Sequence, residues 1–195
     1  MRKRLLMVAC VLAGLPIGER AAGQAAPGQT AVASAQAAPD TAARRAAMAR
    51  LAFLQGKWSG EASAMVGRGQ KLEMIQTESV RYATGGQTML VEGVGRRIVA
   101  GEPRDTLFHA VATIDWLPER GYLMRAYTLA GHYGEFPLAV TERGFAWEMA
   151  APGGKVMYTM GLTADGAWDE RGDYVRGDQR YEVIRLLVRP VKAQP

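Results

Sequence analysis

The sequence predicts an all-β protein, an antiparallel up-and-down β-barrel of about ten strands preceded by one short N-terminal helix. Three observations predict it. Strand-forming runs follow one another from Trp58 to Arg189, each stopped by a turn rich in glycine or proline. No helix-length periodic segment interrupts them, so the crossovers that parallel strands need are missing and neighbours must run antiparallel. Ten strands in one open sheet would leave two bare edges, which closure removes. A two-sheet sandwich is the alternative arrangement.

Residues 1–23 are expected to be a cleaved secretory signal, which places the mature chain in the periplasm or outside the cell. They have a basic start (Arg2, Lys3, Arg4), an apolar run from Leu5 to Ile17, and small residues at Ala21-Ala22-Gly23 where a peptidase could cut. The run is too short for a transmembrane helix, which needs about 20 residues, and Gly14 and Pro16 interrupt it. Cys10, the only cysteine, lies inside this leader, so the mature chain would hold no disulfide, thiolate nucleophile or cysteine metal ligand. Met7-Val8-Ala9-Cys10 loosely resembles a lipoprotein box. Only Leu5–Ala9 would then form the apolar core, so a plain cleaved signal is the expectation. The leader carries four of the 24 bases and one of the 19 acids. The remainder therefore holds 20 bases against 18 acids, a net charge of +2 that is too small and too evenly spread to imply nucleic acid.

Residues 24–39 are mostly Ala, Gln, Pro, Ser and Gly, with too little to bury, and are expected to form a flexible linker. The barrel domain is then 40–195. Asp40 or Thr41 offers an N-cap. Met48, Leu51, Ala52 and Phe53 or Leu54 recur at helical spacing, and Gly56 stops the helix. The spacing predicts about 13 helical residues.

The strands are read from their punctuation: Trp58–Val66, Gln70–Tyr82, Gln87–Arg97, Asp105–Trp116, Gly121–Leu129, His132–Thr141, Phe145–Ala150, Lys155–Thr163, Ala167–Arg176 and Gln179–Arg189. Trp58, Trp147, Trp168, Phe136, Phe145, Tyr158 and several methionines form the expected interior, and a barrel of this size can leave a cavity between filled ends.

Leu51-Ala52-Phe53-Leu54-Gln55-Gly56-Lys57-Trp58-Ser59-Gly60, a helix running into Gly-x-Trp and a first strand, resembles the opening of calycin barrels, the lipocalins and their relatives. The fuller pattern adds Gly85-Gly86 before the third strand, Ile114-Asp115-Trp116 before a turn and Tyr122, and a last strand rich in Val, Ile and Arg. It is similar to a bacterial lipocalin-like family called domain of unknown function 1579, over roughly Leu51–Pro190. The resemblance implies that Trp58 plugs one barrel end and that an Arg of the last strand packs over it, with Arg189 the better candidate and Arg185 the second.

Charges on apolar strand faces are the candidate site residues. Glu78 shares a face with Met74 and Val80, Glu92 lies between Leu90 and Val94, Arg125 between Leu123 and Tyr127, and Arg185 between Val183 and Leu187. Two acids and two bases could pair with each other or lie solvated on the outer wall. Alternatively, Arg125 or Arg185 could hold the carboxylate of an amphipathic ligand, because the planar guanidinium fork matches both oxygens. Glu78, Glu92, Arg125, Tyr127, Trp147, Tyr158 and Arg185 are the expected cavity-lining set, and a small apolar or amphipathic molecule is the expected partner. No cofactor or metal is expected.

The alternatives are a filled barrel serving as an envelope interaction module, and a haem protein or enzyme on the same frame. The nitrobindins, a related group of calycin barrels, bind haem through one histidine; His109 and His132 are the only two here. Gly93-Val94-Gly95 lacks the third glycine and following helix of a dinucleotide loop. No mature serine has glycine on both sides as in a nucleophile elbow. The acids between Asp165 and Asp178 fit no calcium loop, and the two Arg-Gly-Asp triplets at Arg171 and Arg176 lie in a strand and a turn.

Overall fold

The computed structural model describes residues 40–192; the expected signal and linker lie outside that range. Helix α1 (Thr41–Ala49) is capped by the Asp40 carboxylate, which accepts a hydrogen bond from the Ala43 N–H at 2.8 Å. The single long helix expected from the apolar spacing is instead α1 followed by a separate 3-10 turn at Ala52–Leu54. Bonds from Arg50 to Ala47 and from Leu51 to Met48 tighten the chain there, and it turns so that Met48, Leu51 and Leu54 all point into the barrel end.

Ten strands follow: β1 (Gly56–Val66), β2 (Gln70–Ala83), β3 (Thr88–Val99), β4 (Glu102–Leu117), β5 (Gly121–Thr128), β6 (Tyr133–Val140), β7 (Gly144–Ala151), β8 (Gly154–Leu162), β9 (Trp168–Arg176) and β10 (Gln179–Pro190). Each pairs antiparallel with its sequence neighbours, and β1 pairs with β10 to close the barrel. The bounds match the turn punctuation closely. The largest departure is β4, which begins at Glu102 and takes in Pro103, at a strand end where the β3–β4 register is irregular.

One barrel end is plugged. Trp58 is buried and donates its indole N–H to the Leu54 carbonyl at 2.9 Å. The Tyr122 and Tyr82 hydroxyls donate to the carbonyls of Ala47 and Met48, at 2.7 and 2.9 Å. These carbonyls of the last turn of α1 already accept the Arg50 and Leu51 N–H groups, and the tyrosines occupy their second lone pairs and fix the helix across the opening. The core cluster lies here, with Val80, Met89, Ile114, Leu138, Phe145, Met160 and Val188 around the plug. The resemblance-based expectation for the last strand is corrected. Arg189 pairs across from Ser59 on the outer wall and reaches Asp165 at 3.4 Å, and Arg185 is likewise outside. The ring over Trp58 is that of Trp168, edge-on at a centroid distance of 5.8 Å.

Candidate functional site

Strand alternation and register decide which side chains enter the lumen. Trp58 faces Glu78 across β1–β2, and Glu78 faces Gly93 across β2–β3, so all three share the inner face. Gln76 precedes Glu78 on that face and donates to its Oε1 at 2.7 Å. Both are buried, Glu78 to 8% exposure.

Two inner-wall glycines make this possible. A Cβ on Gly93 would stand 2.7 Å from both Glu78 carboxyl oxygens, and one on Gly95 would stand 2.7 Å from the Gln76 amide oxygen and 2.5 Å from the Met74 sulfur. The missing side chains leave room for polar groups to lie flat against β3.

Across the barrel, β9 presents Trp168, Glu170 and Gly172 inward at alternate positions. The Trp168 indole donates to Glu170 Oε2 at 3.1 Å, and the Trp147 indole is a second donor to that carboxylate. Trp147 stacks on Tyr158 at 3.9 Å and 2° and leans on Phe136 at 4.7 Å. The Tyr158 hydroxyl points to the Met149 sulfur at 3.8 Å. Thus β2, β7, β8 and β9 together build a belt of one amide and two carboxyls within an aromatic wall.

The electrostatics of this belt are unusual. Burial pushes the Glu78 carboxyl up to about 8, against the lowering effect of the Gln76 hydrogen bond, and the nearby Glu170 charge adds to the rise. Burial likewise pushes Glu170 up to about 7, against the two indole donors. Glu170 keeps part of its surface accessible, and its face of β9 looks into the lumen. At neutral pH the Glu78 carboxyl is therefore mostly protonated and can donate a hydrogen bond as well as accept one. Such a belt can orient a polar group on an otherwise apolar guest, and its carboxyls are poised to exchange protons near neutrality.

Of the seven sequence-derived residues, Glu78, Trp147 and Tyr158 meet in the lumen. The other four are on the outer wall. Arg125 donates to Asp115 at 2.9 Å and Glu135 at 3.0 Å, and these acids, Asp115 first, hold its pKa up. Tyr127 is 58% exposed and packs against Tyr133 at 4.9 Å. Arg185 bonds Asp169 at 2.7 Å. Glu92 meets His109 at 2.9 Å and borders an outside cleft of about 260 Å³ over β1–β3. The expectation that these four line the lumen fails because the outer wall carries apolar residues of its own: Leu90, Val94 and Leu123 flank the charges on that side. His109 shares the outer face with Glu92, whereas His132, half-buried in the β5–β6 turn opposite Thr128, stands just before Gly134 on the inner-face register, at the barrel end away from the plug.

Gln76 and Glu170 were missed, although a signal existed. Placing Trp168 inside places Glu170 inside two residues later, and Gln76 lies between Met74 and Glu78 on one face. Among the described residues no group of three or more His, Cys, Asp or Glu is arranged to hold a metal ion, and no helix is long and apolar enough to cross a membrane.

The fold and belt define a closed ten-stranded antiparallel barrel with a polar patch inside its aromatic lumen. Neither a protein-family model nor a curated protein matches the chain. Among solved structures it is similar to the crystal structure of Rv2717c from M. tuberculosis, with a TM-score of 0.55 and 11% identity, covering 75% of this chain and 98% of that one. At such identity the likeness concerns the fold alone.

Proposed function

We propose that this chain is an exported, lipocalin-like barrel of the domain of unknown function 1579 family that reversibly binds a small apolar or amphipathic molecule. The observation that carries the reading is the polar belt of Gln76, Glu78 and Glu170 inside an aromatic lumen. Apolar side chains would fill that space at lower cost, because burying carboxyls without full pairing is unfavourable. A polar group on a guest gives the belt a purpose. The basic and apolar leader supports export, and Gly56-Lys57-Trp58 with Ile114-Asp115-Trp116 supports the family.

A second reading has an observation of its own. Inner-wall space at Gly95, Gly134 and Gly172 is occupied by Met74, Phe136 and Tyr158 respectively. A barrel filled in this way would serve as an envelope interaction module. Native mass spectrometry of protein purified from its own envelope, followed by organic extraction, separates the two. The carrier reading expects a co-purifying small molecule that is lost in a folded Glu78→Ala variant. A clean apo mass, with no uptake from a panel of apolar compounds, sinks the carrier and favours the filled module.

A further inference from the structure

We propose that Arg97 is an anion anchor at the mouth of the barrel, the end opposite the helix plug, and that the guest is an amphipathic acid whose carboxylate it holds. This rests on the carrier reading and names the chemistry of the ligand. Arg97 pairs with Met74 across β2–β3, so it shares the inner face with Met74, Gln76 and Glu78. Its neighbours Arg96 and Ile98 are the ones paired with β4, at an irregular register that skips Arg97 itself. The side chain is half-buried, its Nε is shut off from solvent without a hydrogen-bond partner, and among the described residues no acid pairs with it.

A buried, unpartnered Nε on the inner face sets Arg97 apart. Arg125, Arg171, Arg180, Arg185 and Arg189 each bond at least one carboxylate on the outer wall. A guanidinium facing the lumen with a buried, unsatisfied N–H is costly unless something supplies the acceptor. A carboxylate supplies two oxygens to its fork. Below it lie apolar surfaces for a tail: Met74 beside it and Phe108 opposite Gly95. Exposed Met65, Ile98, Leu129 and Tyr181 lie at strand ends on the mouth side, where an amphiphile would arrive. Arg97 stands four residues beyond Gly93 on β3, or about 13 Å at the usual strand rise, so a guest held there by its carboxylate meets the Gln76–Glu78 belt at a second, separate point along its length.

The test is calorimetric titration of the wild type, Arg97→Gln and Arg97→Met with dodecanoate and with dodecanol, which share a tail and differ in charge. The proposal expects dodecanoate to bind the wild type and to weaken at least about tenfold in both variants, with dodecanol unchanged. It also expects Arg97→Met, which keeps most of the side-chain bulk, not to lower Tm, since the guanidinium makes no native hydrogen bond or ion pair among the described residues. Equal affinities for dodecanoate in wild type and variants overturn the anchor and leave the carrier standing. A parallel loss of both ligands together with a drop in Tm overturns it too, by making Arg97 a packing residue. If neither amphiphile binds the wild type, the carrier reading falls and the anchor falls with it.

Discussion

At the scale of single residues, the most consequential feature is that Glu78 is an acid held in the wrong medium. Its carboxyl, pushed up to about 8 by burial, keeps a proton in the folded state that the unfolded chain releases in the ordinary carboxylate range. Between those limits the native state binds more protons, so stability falls as pH rises through that window. The contribution is at most on the order of 5 kcal/mol. Asp173 works in the opposite direction. Burial raises it, but hydrogen bonds from Arg180 and Arg171 outweigh burial and hold it below its ordinary range, so its contribution is lost as pH falls in strong acid. The protein should be most stable in mild acid. Thermal melts between pH 5 and 9 should show Tm declining, and Glu78→Gln, which keeps a polar amide beside Gln76, should flatten much of that decline. An unchanged slope in the variant would mean that Glu78 is ionised in the folded protein.

At the scale of elements, the seam between β6 and β7 is the weak part of the wall. Only Ala139–Ala146 and Val140–Phe145 pair there, both near the plug, whereas β7 and β8 pair at eight positions. Further toward the mouth the Phe136 and Trp147 rings meet at 4.7 Å. Amides of 134–136 and 147–151 that face the seam should therefore exchange with deuterium much faster than those of β8; uniform protection across β6–β8 would contradict the pairing. The strands themselves were legible because glycine and proline end nearly every one. Which face they turn was not. Leu123-x-Arg125-x-Tyr127 reads as an apolar face broken by one charge, yet Tyr122 is the residue that enters the core, while Leu123 is buried on the outer side between Asp115 and Pro137. A period of two gives two candidate faces, and only the cross-strand partners, distant in sequence, choose between them. Glu78 points inward as its alternation suggests, because its whole face, Met74 through Val80, is buried while the other face is not. Arg97 was illegible for another reason: the irregular β3–β4 register that isolates it depends on two strands at once.

At the scale of the whole molecule, the plug and the polar belt are one connected structure. The Leu54 carbonyl holds Trp58, Trp58 meets Trp168 edge-on, and Trp168 donates to Glu170, whose charge in turn raises Glu78. The chain runs from the helix that closes the barrel to the carboxyls at its centre. Trp168→Phe tests this link, because it keeps an aromatic ring against Trp58 and removes the indole donor, at a packing cost for the lost ring volume that does not depend on pH. A hydrogen bond to the ionised form lowers a carboxyl's pKa, so its loss should carry Glu170 further above about 7. Carbon-detected NMR titration of the Glu170 carboxyl should show that rise. The stability cost should also depend on pH. In mild acid, where Glu170 is protonated in both proteins, the variant should lose only the pH-independent packing of the smaller ring. Above pH 8 the wild type keeps the donor to the ionised carboxylate and the variant does not, so the gap in Tm should widen. A Glu170 titration that does not move would cut the connection, leaving the plug and the belt as independent parts of one barrel.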